Sequence, residues 1–158
     1  MIEAASAAAP DPAASEPAAP DPAASDPAAS YPAAADPSAA LLAALARHLG
    51  TPLEPRLVTL PDGVRVEIDG IDSSGRLLVQ CISAGGAVKS GQRNKAMSDA
   101  LKLVWLRSTL FVGARIALCV SEPVSRFFAD PAWLAQAVAD LRVEVYVVTI
   151  DGGAIRLK

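Results

Sequence analysis

The sequence predicts an α/β chain of the α+β kind: one mixed sheet with helices on its faces, preceded by a segment without structure. Three observations lead there. Apolar spacing alternates along the chain between a period of two and a period near 3.6. Strand-like stretches first follow one another and later alternate with helices. Composition breaks near residue 37, since residues 1–40 hold 18 alanines, 8 of the 13 prolines and no Lys or Arg.

Residues 1–37 repeat a short pattern, in which Pro10-Asp11-Pro12-Ala13-Ala14-Ser15 returns as Pro20-Asp21-Pro22-Ala23-Ala24-Ser25. Prolines at this density remove backbone donors and disfavour helix at the residue before each. Apart from Met1, Ile2 and Tyr31 the segment has no large apolar side chain, too few to build a core, so a disordered, acidic Ala/Pro/Asp-rich tail is expected over 1–37, with the folded domain over 38–158. Six acidic residues lie in the first 40 (Glu3, Asp11, Glu16, Asp21, Asp26, Asp36), so the net charge of −3 divides into −6 there and +3 in the rest.

Order is expected from Ser38, as N-cap of a helix over Ala39–Leu49 with Leu41, Leu42, Leu45 and Leu49 on one face and Gly50 closing it. Arg56–Leu60 reads as a short strand and Pro61-Asp62-Gly63 as a turn. Val64–Asp69 alternates, with Val64, Val66 and Ile68 on one side and Arg65, Glu67 and Asp69 on the other. Gly70–Gly75 reads as a polar loop, and Arg76–Ser83 as a continuous apolar, central strand. A long helix is expected from about Gly91 to Thr109, capped by Ser90, burying Ala96, Ala100, Leu101, Val104 and Trp105. A strand over Arg115–Val120, a helix over Pro131–Leu141 and a strand over Val143–Ile150 complete the series. Short connections make the first strands antiparallel; helical crossovers make the later ones parallel.

Several chemistries are excluded. Cys81 and Cys119 match no metal knuckle or redox pair and read as buried, reduced side chains. His48 is the single histidine, against His-based metal sites and Ser/His hydrolysis. No apolar run reaches the roughly 18–20 residues that span a bilayer, and Met1-Ile2-Glu3 lacks a basic start, so a cytoplasmic location with no membrane partner is expected. The Ala84-Gly85-Gly86-Ala87 loop lacks the Gly-Lys-Ser/Thr order of a phosphate-binding loop. What stands out is a polar stripe on the long helix: Gln92, Lys95, Asp99 and Lys102, which share one side at helical spacing. It follows a strand carrying Gln80 and another ending at Asp69.

Val66-Glu67-Ile68-Asp69-Gly70, Leu78-Val79-Gln80, Gly86-x-x-Lys89-x-x-Gln92-x-x-Lys95 and Asp99-Ala100-Leu101-Lys102-Leu103 together resemble the restriction-endonuclease-like, PD-(D/E)xK superfamily over roughly residues 40–150. That resemblance implies a core of helix, three strands, helix and strand, with an extra helix and strand after it. It also implies a magnesium-dependent phosphodiester hydrolase acting on nucleic acid. In such a site hard oxygen ligands hold Mg²⁺, which lowers the pKa of an attacking water, and a lysine orients that water. By the resemblance, Asp69 matches the first metal-binding carboxylate and Gln80 stands where the second acidic ligand belongs. Ile82 stands where the usual lysine belongs, so Lys89 or Lys95 would supply it from the helix. Gln92 and Lys102 would contact substrate, and Glu67 or Asp72 would help hold the metal. Two readings stay open: a nuclease, or a non-catalytic module that binds nucleic acid or protein on the same fold. Phe127-Phe128 reads as a core or helix-edge pair; were it exposed, it would be the contact patch of a purely structural partner.

Overall fold

A computed structural model describes residues 36–157; the tail expected over 1–37 lies outside them except for its last two residues. Those two begin helix α1 (Pro37–Leu49). The N-cap is Asp36 and not Ser38: the Asp36 carboxylate accepts the Ser38 N–H at 2.9 Å, and Pro37 takes the first helical position, where its missing N–H costs nothing. Gly50 closes the helix at φ 63°, and the Thr51 N–H reaches back to the Ala46 carbonyl. Leu41, Leu42 and Leu45 are buried, as their spacing predicts.

Strands β1 (Glu54–Thr59) and β2 (Arg65–Ile71) form an antiparallel hairpin around Gly63, whose φ of 84° suits the turn. Pro55 lies in the outermost strand, where a missing donor is tolerated. β2 extends through Gly70 and Ile71, which had been expected in a loop. Strand β3 (Leu77–Ile82) is buried throughout. The turn joining β2 to β3 is built on Asp72, which accepts the Leu77 N–H at 2.8 Å and is also bonded by the Ser74 hydroxyl.

Helix α2 (Ser90–Thr109), strand β4 (Arg115–Ser121), the short helix α3 (Glu122–Ser125), helix α4 (Trp133–Asp140) and strand β5 (Val143–Val148) follow. A further strand, β6 (Ala154–Arg156), was not foreseen; it pairs antiparallel with β5. The sheet runs in chain order from β1 to β6, with β3, β4 and β5 parallel and the rest antiparallel. Both parallel crossovers place their helices on one face, since two right-handed crossovers in the same direction must. There α2 and α4 cover Leu78, Ile82, Ile116, Leu118 and Val145. α1 covers the opposite face, with Val79, Cys81, Ala117, Cys119 and Tyr146. Both cysteines are free and buried, and the Cys119 contact together with burial holds the Cys81 thiol well above its ordinary pKa.

α2 departs from the expected phase. Its cap is Lys89 rather than Ser90, and its buried side is Ala96, Asp99, Ala100, Leu103 and Leu106. Leu101 and Trp105, expected inside, are exposed. Asp99 turns inward beside Leu103 and Leu106, which are fully buried. Phe128 belongs to the core, while Phe127 is half-buried beneath the Arg126 guanidinium, 5.3 Å from the ring centre. Among the described residues no helix is long and apolar enough to cross a membrane.

Candidate functional site

Some of the polar residues singled out in the sequence, Asp69, Gln80, Lys95, Asp99 and Lys102, lie where β2 and β3 part. The two strands pair at Gly70–Val79 and Ile71–Leu78. Beyond those pairs their backbone groups need other partners, because an unpaired N–H or C=O in a sheet interior costs roughly a lost hydrogen bond. Side chains provide them. The Asp69 carboxylate accepts the Cys81 N–H at 2.7 Å, and the Gln80 amide donates to the Glu67 carbonyl at 3.2 Å. The Lys102 ammonium donates to that same carbonyl, also at 3.2 Å.

α2 adds a second layer. Asp99 is almost fully buried and pairs with Lys95 one turn before it and Lys102 one turn after, the latter at 3.5 Å. Lys95 is half exposed and Lys102 less so. Gln80, Lys102, Asp99 and Lys95 therefore form one connected network, anchored on the Glu67 carbonyl. Asp99, the member that ties it together, stands in the sequence only as one residue of the polar stripe; its single negative charge between two lysines at helical spacing is the available signal.

Asp69 does not join that network. Along β1 and β2 the register slips by one residue, since Arg56 pairs with Ile68 but Glu54 with Ile71. The slip breaks the alternation at Asp69–Gly70. Gly70 then faces α1, so closely that a Cβ there would lie 2.3 Å from a Leu42 methyl. Asp69 borders the recess of about 240 Å³ on that side, with Glu67, Leu42 and Pro55. Gln80 lies on the other face, between Leu78 and Ile82 in the α2 core, and is 1% exposed.

Lys89 and Gln92 lie apart from both. The Gln92 side-chain oxygen accepts the Lys89 N–H at 2.9 Å, so this glutamine caps the helix it was expected to present to substrate. Lys89 stands about 20 Å from Lys102 along the helix axis, at 1.5 Å per residue. Around Lys89 the cations Arg93, Lys95 and Arg126 are also exposed; Arg126 is fixed there by donating to the Val88 carbonyl at 2.8 Å.

The residues present do not fit a magnesium ion. Mg²⁺ favours anionic oxygen ligands in octahedral array. Gln80 is uncharged, directs its NH₂ at Glu67 and faces away from Asp69. Asp72 is committed to its turn, where its hydrogen bonds outweigh burial and hold its pKa below the ordinary carboxylate value. Among the described residues no three His, Cys, Asp or Glu side chains are grouped to hold a metal ion.

No family model and no curated protein matches the sequence. Among solved structures the chain is similar to the crystal structure of an XisH family protein from Nostoc punctiforme PCC 73102, at 12% sequence identity and a TM-score of 0.54. The likeness covers 75% of this chain and 96% of that one. At that identity it speaks for the fold alone, a mixed sheet with helices on both faces.

Proposed function

We propose that this chain is a nucleic-acid-binding module on a nuclease-like fold, a degenerate relative of the restriction-endonuclease-like superfamily that does not hydrolyse its ligand. The observation that carries the reading is Gln80. It stands where a second carboxylate is needed, and it is buried, uncharged and turned to the face opposite Asp69. The binding half rests on Lys89, Arg93, Lys95 and Arg126, exposed around the first turns of α2. Cations so placed contact phosphates without reading bases, which gives weak, strongly salt-dependent association.

Magnesium-dependent hydrolysis through Asp69, Gln80 and Lys89 or Lys95 is the second reading. It is favoured by the parting of β2 and β3 at Asp69, which puts a carboxylate at the mouth of a split sheet.

One sample separates the two. A magnesium titration followed by chemical shift, with cleavage and binding assays on labelled single- and double-stranded oligonucleotides, should give no saturable shift at Asp69 and no cleavage. Binding should weaken steeply with salt and again in Arg93→Ala/Lys95→Ala. Magnesium-dependent cleavage abolished by Asp69→Ala would overturn the proposal in favour of the second reading.

A further inference from the structure

The solvent side of α2 carries no charge. Ser90, Asn94, Met97, Ser98, Leu101, Trp105 and Ser108 are all exposed. At 100° per residue they fall within an arc of roughly 100° that runs the whole helix. A helix face turned to water normally carries charged residues. Here the charges are confined to the flanks, with Lys95 and Lys102 on one side and Arg93 on the other.

α4 continues the face. Trp133 is 56% exposed and Leu141 43%, beside Leu101 at 68%, Met97 at 40% and Trp105 at 39%. Between the two helices runs a groove of about 330 Å³ walled by Met97, Leu101, Trp133, Ala137 and Leu141, and no charged residue lines it. On the other side of Leu101 a second recess opens towards Val66 and Trp105, and Arg65, Glu67 and Lys102, charges of both signs, also line it. Leu101 is thus a protruding side chain with a hollow on either side.

We infer that this α2/α4 face is the interface of a two-fold dimer, its occupant a second copy of this chain. Two arguments select that occupant. The first is area. The five exposed side chains offer on the order of 500 Å² of apolar surface, near the apolar share of the roughly 800 Å² per partner that a specific dimer buries. The second is charge. A two-fold contact sets a patch against itself, so every charge near the axis meets its own copy. A neutral face avoids that repulsion, whereas a face built for an acidic or basic partner would carry the opposite sign. The pairing of a protruding Leu101 with adjacent hollows on one patch is also what a self-complementary contact requires. The inference goes beyond the proposed function and does not depend on it, because cleavage and oligonucleotide binding are read separately from assembly.

The test uses the full chain. Both of its tryptophans, Trp105 and Trp133, lie on this face, so their emission reports directly on its burial. Sedimentation velocity from about 1 to 100 µM, a range that brackets moderate self-association, should show a concentration-dependent dimer with a matching blue shift in tryptophan emission. Leu101→Glu should weaken dimerisation at least a hundredfold while leaving the far-ultraviolet dichroism of the monomer unchanged. Trp133→Lys is the second variant, should Leu101→Glu fold poorly. A wild-type chain that stays monomeric across the range overturns the inference. So does a dimer that persists in both variants, since it would use another face. Oligomerisation that appears only when a different protein is added would assign the face to that partner and overturn it as well.

Discussion

On α1 the leucines point where their spacing says; on α2 a carboxylate is buried while leucine and tryptophan face water. The two helices cover opposite faces of one sheet, so the contrast is not one of environment. α1 meets an apolar surface made of Val79, Ala117 and Cys119 and has nothing polar to satisfy. α2 lies beside the parting of β2 and β3, where the Glu67 carbonyl accepts from both Gln80 and Lys102. Lys102 also pairs with Asp99, which lies on the buried side of the helix with Leu103 and Leu106. A polar contact and an apolar stripe thus share the buried side of α2, whereas α1 buries only leucine and alanine.

The largest effect should come from the conventional helix. Leu45 is fully buried beneath α1, and Leu45→Ala should cost about 3 kcal/mol through lost transfer energy and the cavity left behind. Urea unfolding measures it, with the slope unchanged. A loss under about 1 kcal/mol would mean that α1 can settle into the gap, and that its fit to the sheet is looser than the leucine pattern implies.

Asp99→Ala attacks the other helix. It leaves two lysines without their shared carboxylate, and because both are partly exposed the cost should be about 2 kcal/mol rather than the larger figure for a sealed pair. The buried Asp72 behaves differently, since backbone and Ser74 hydrogen bonds lower its pKa in the folded state. A carboxyl with a folded pKa below its unfolded value stabilises above the unfolded value and loses that contribution as pH falls through the folded one. Acid titration of Asp72→Asn should therefore show a shallower loss of stability below about pH 4 than the parent chain.

How much of this was legible in the sequence follows the same division. The α1 face, the alternation of β2, the buried β3 and the change from antiparallel to parallel pairing all follow from local periodicity, and they are where it put them. The phase of α2 does not, because apolar residues lie on both of its sides, Ala96, Ala100, Leu103 and Leu106 buried against Met97, Leu101 and Trp105 exposed, and spacing alone does not choose between them. Nor does the separation of Asp69 from Gln80. In the register set by Gly70–Val79 the two would stand directly opposite, side chains on one face; the slip at Asp69–Gly70 takes Asp69 out of that pairing. A one-residue irregularity leaves no mark in hydrophobic spacing, although Gly70 next to a buried strand position was its one trace. Strand β6 is too short, at three residues, to show a period.

Gly70 offers a direct probe of the slip. Gly70→Ala would set a methyl group 2.3 Å from a methyl of the buried Leu42. α1 must then lift or Leu42 must change rotamer, at about 1–2 kcal/mol. Amide exchange should quicken along α1 and stay unchanged along α2. Faster exchange in both helices would show that the two faces are coupled through the sheet, and the contrast between them would lose its force.

The smallest effect should come from Lys95→Ala, and it is the sharpest comparison because it removes the other half of the Asp99 pair. The Lys95 side chain is half exposed, and an exposed ion pair one helical turn apart contributes only about 0.3–0.5 kcal/mol. Deleting it leaves Asp99 still paired with Lys102 at 3.5 Å, and water can reach the vacated side. Asp99→Ala should therefore cost several times more than Lys95→Ala, and raising the salt concentration should erase the Lys95 effect first, since screening acts on exposed charges. Equal losses would mean that Asp99 depends on Lys95 alone, and Lys102 would then serve only the Glu67 carbonyl.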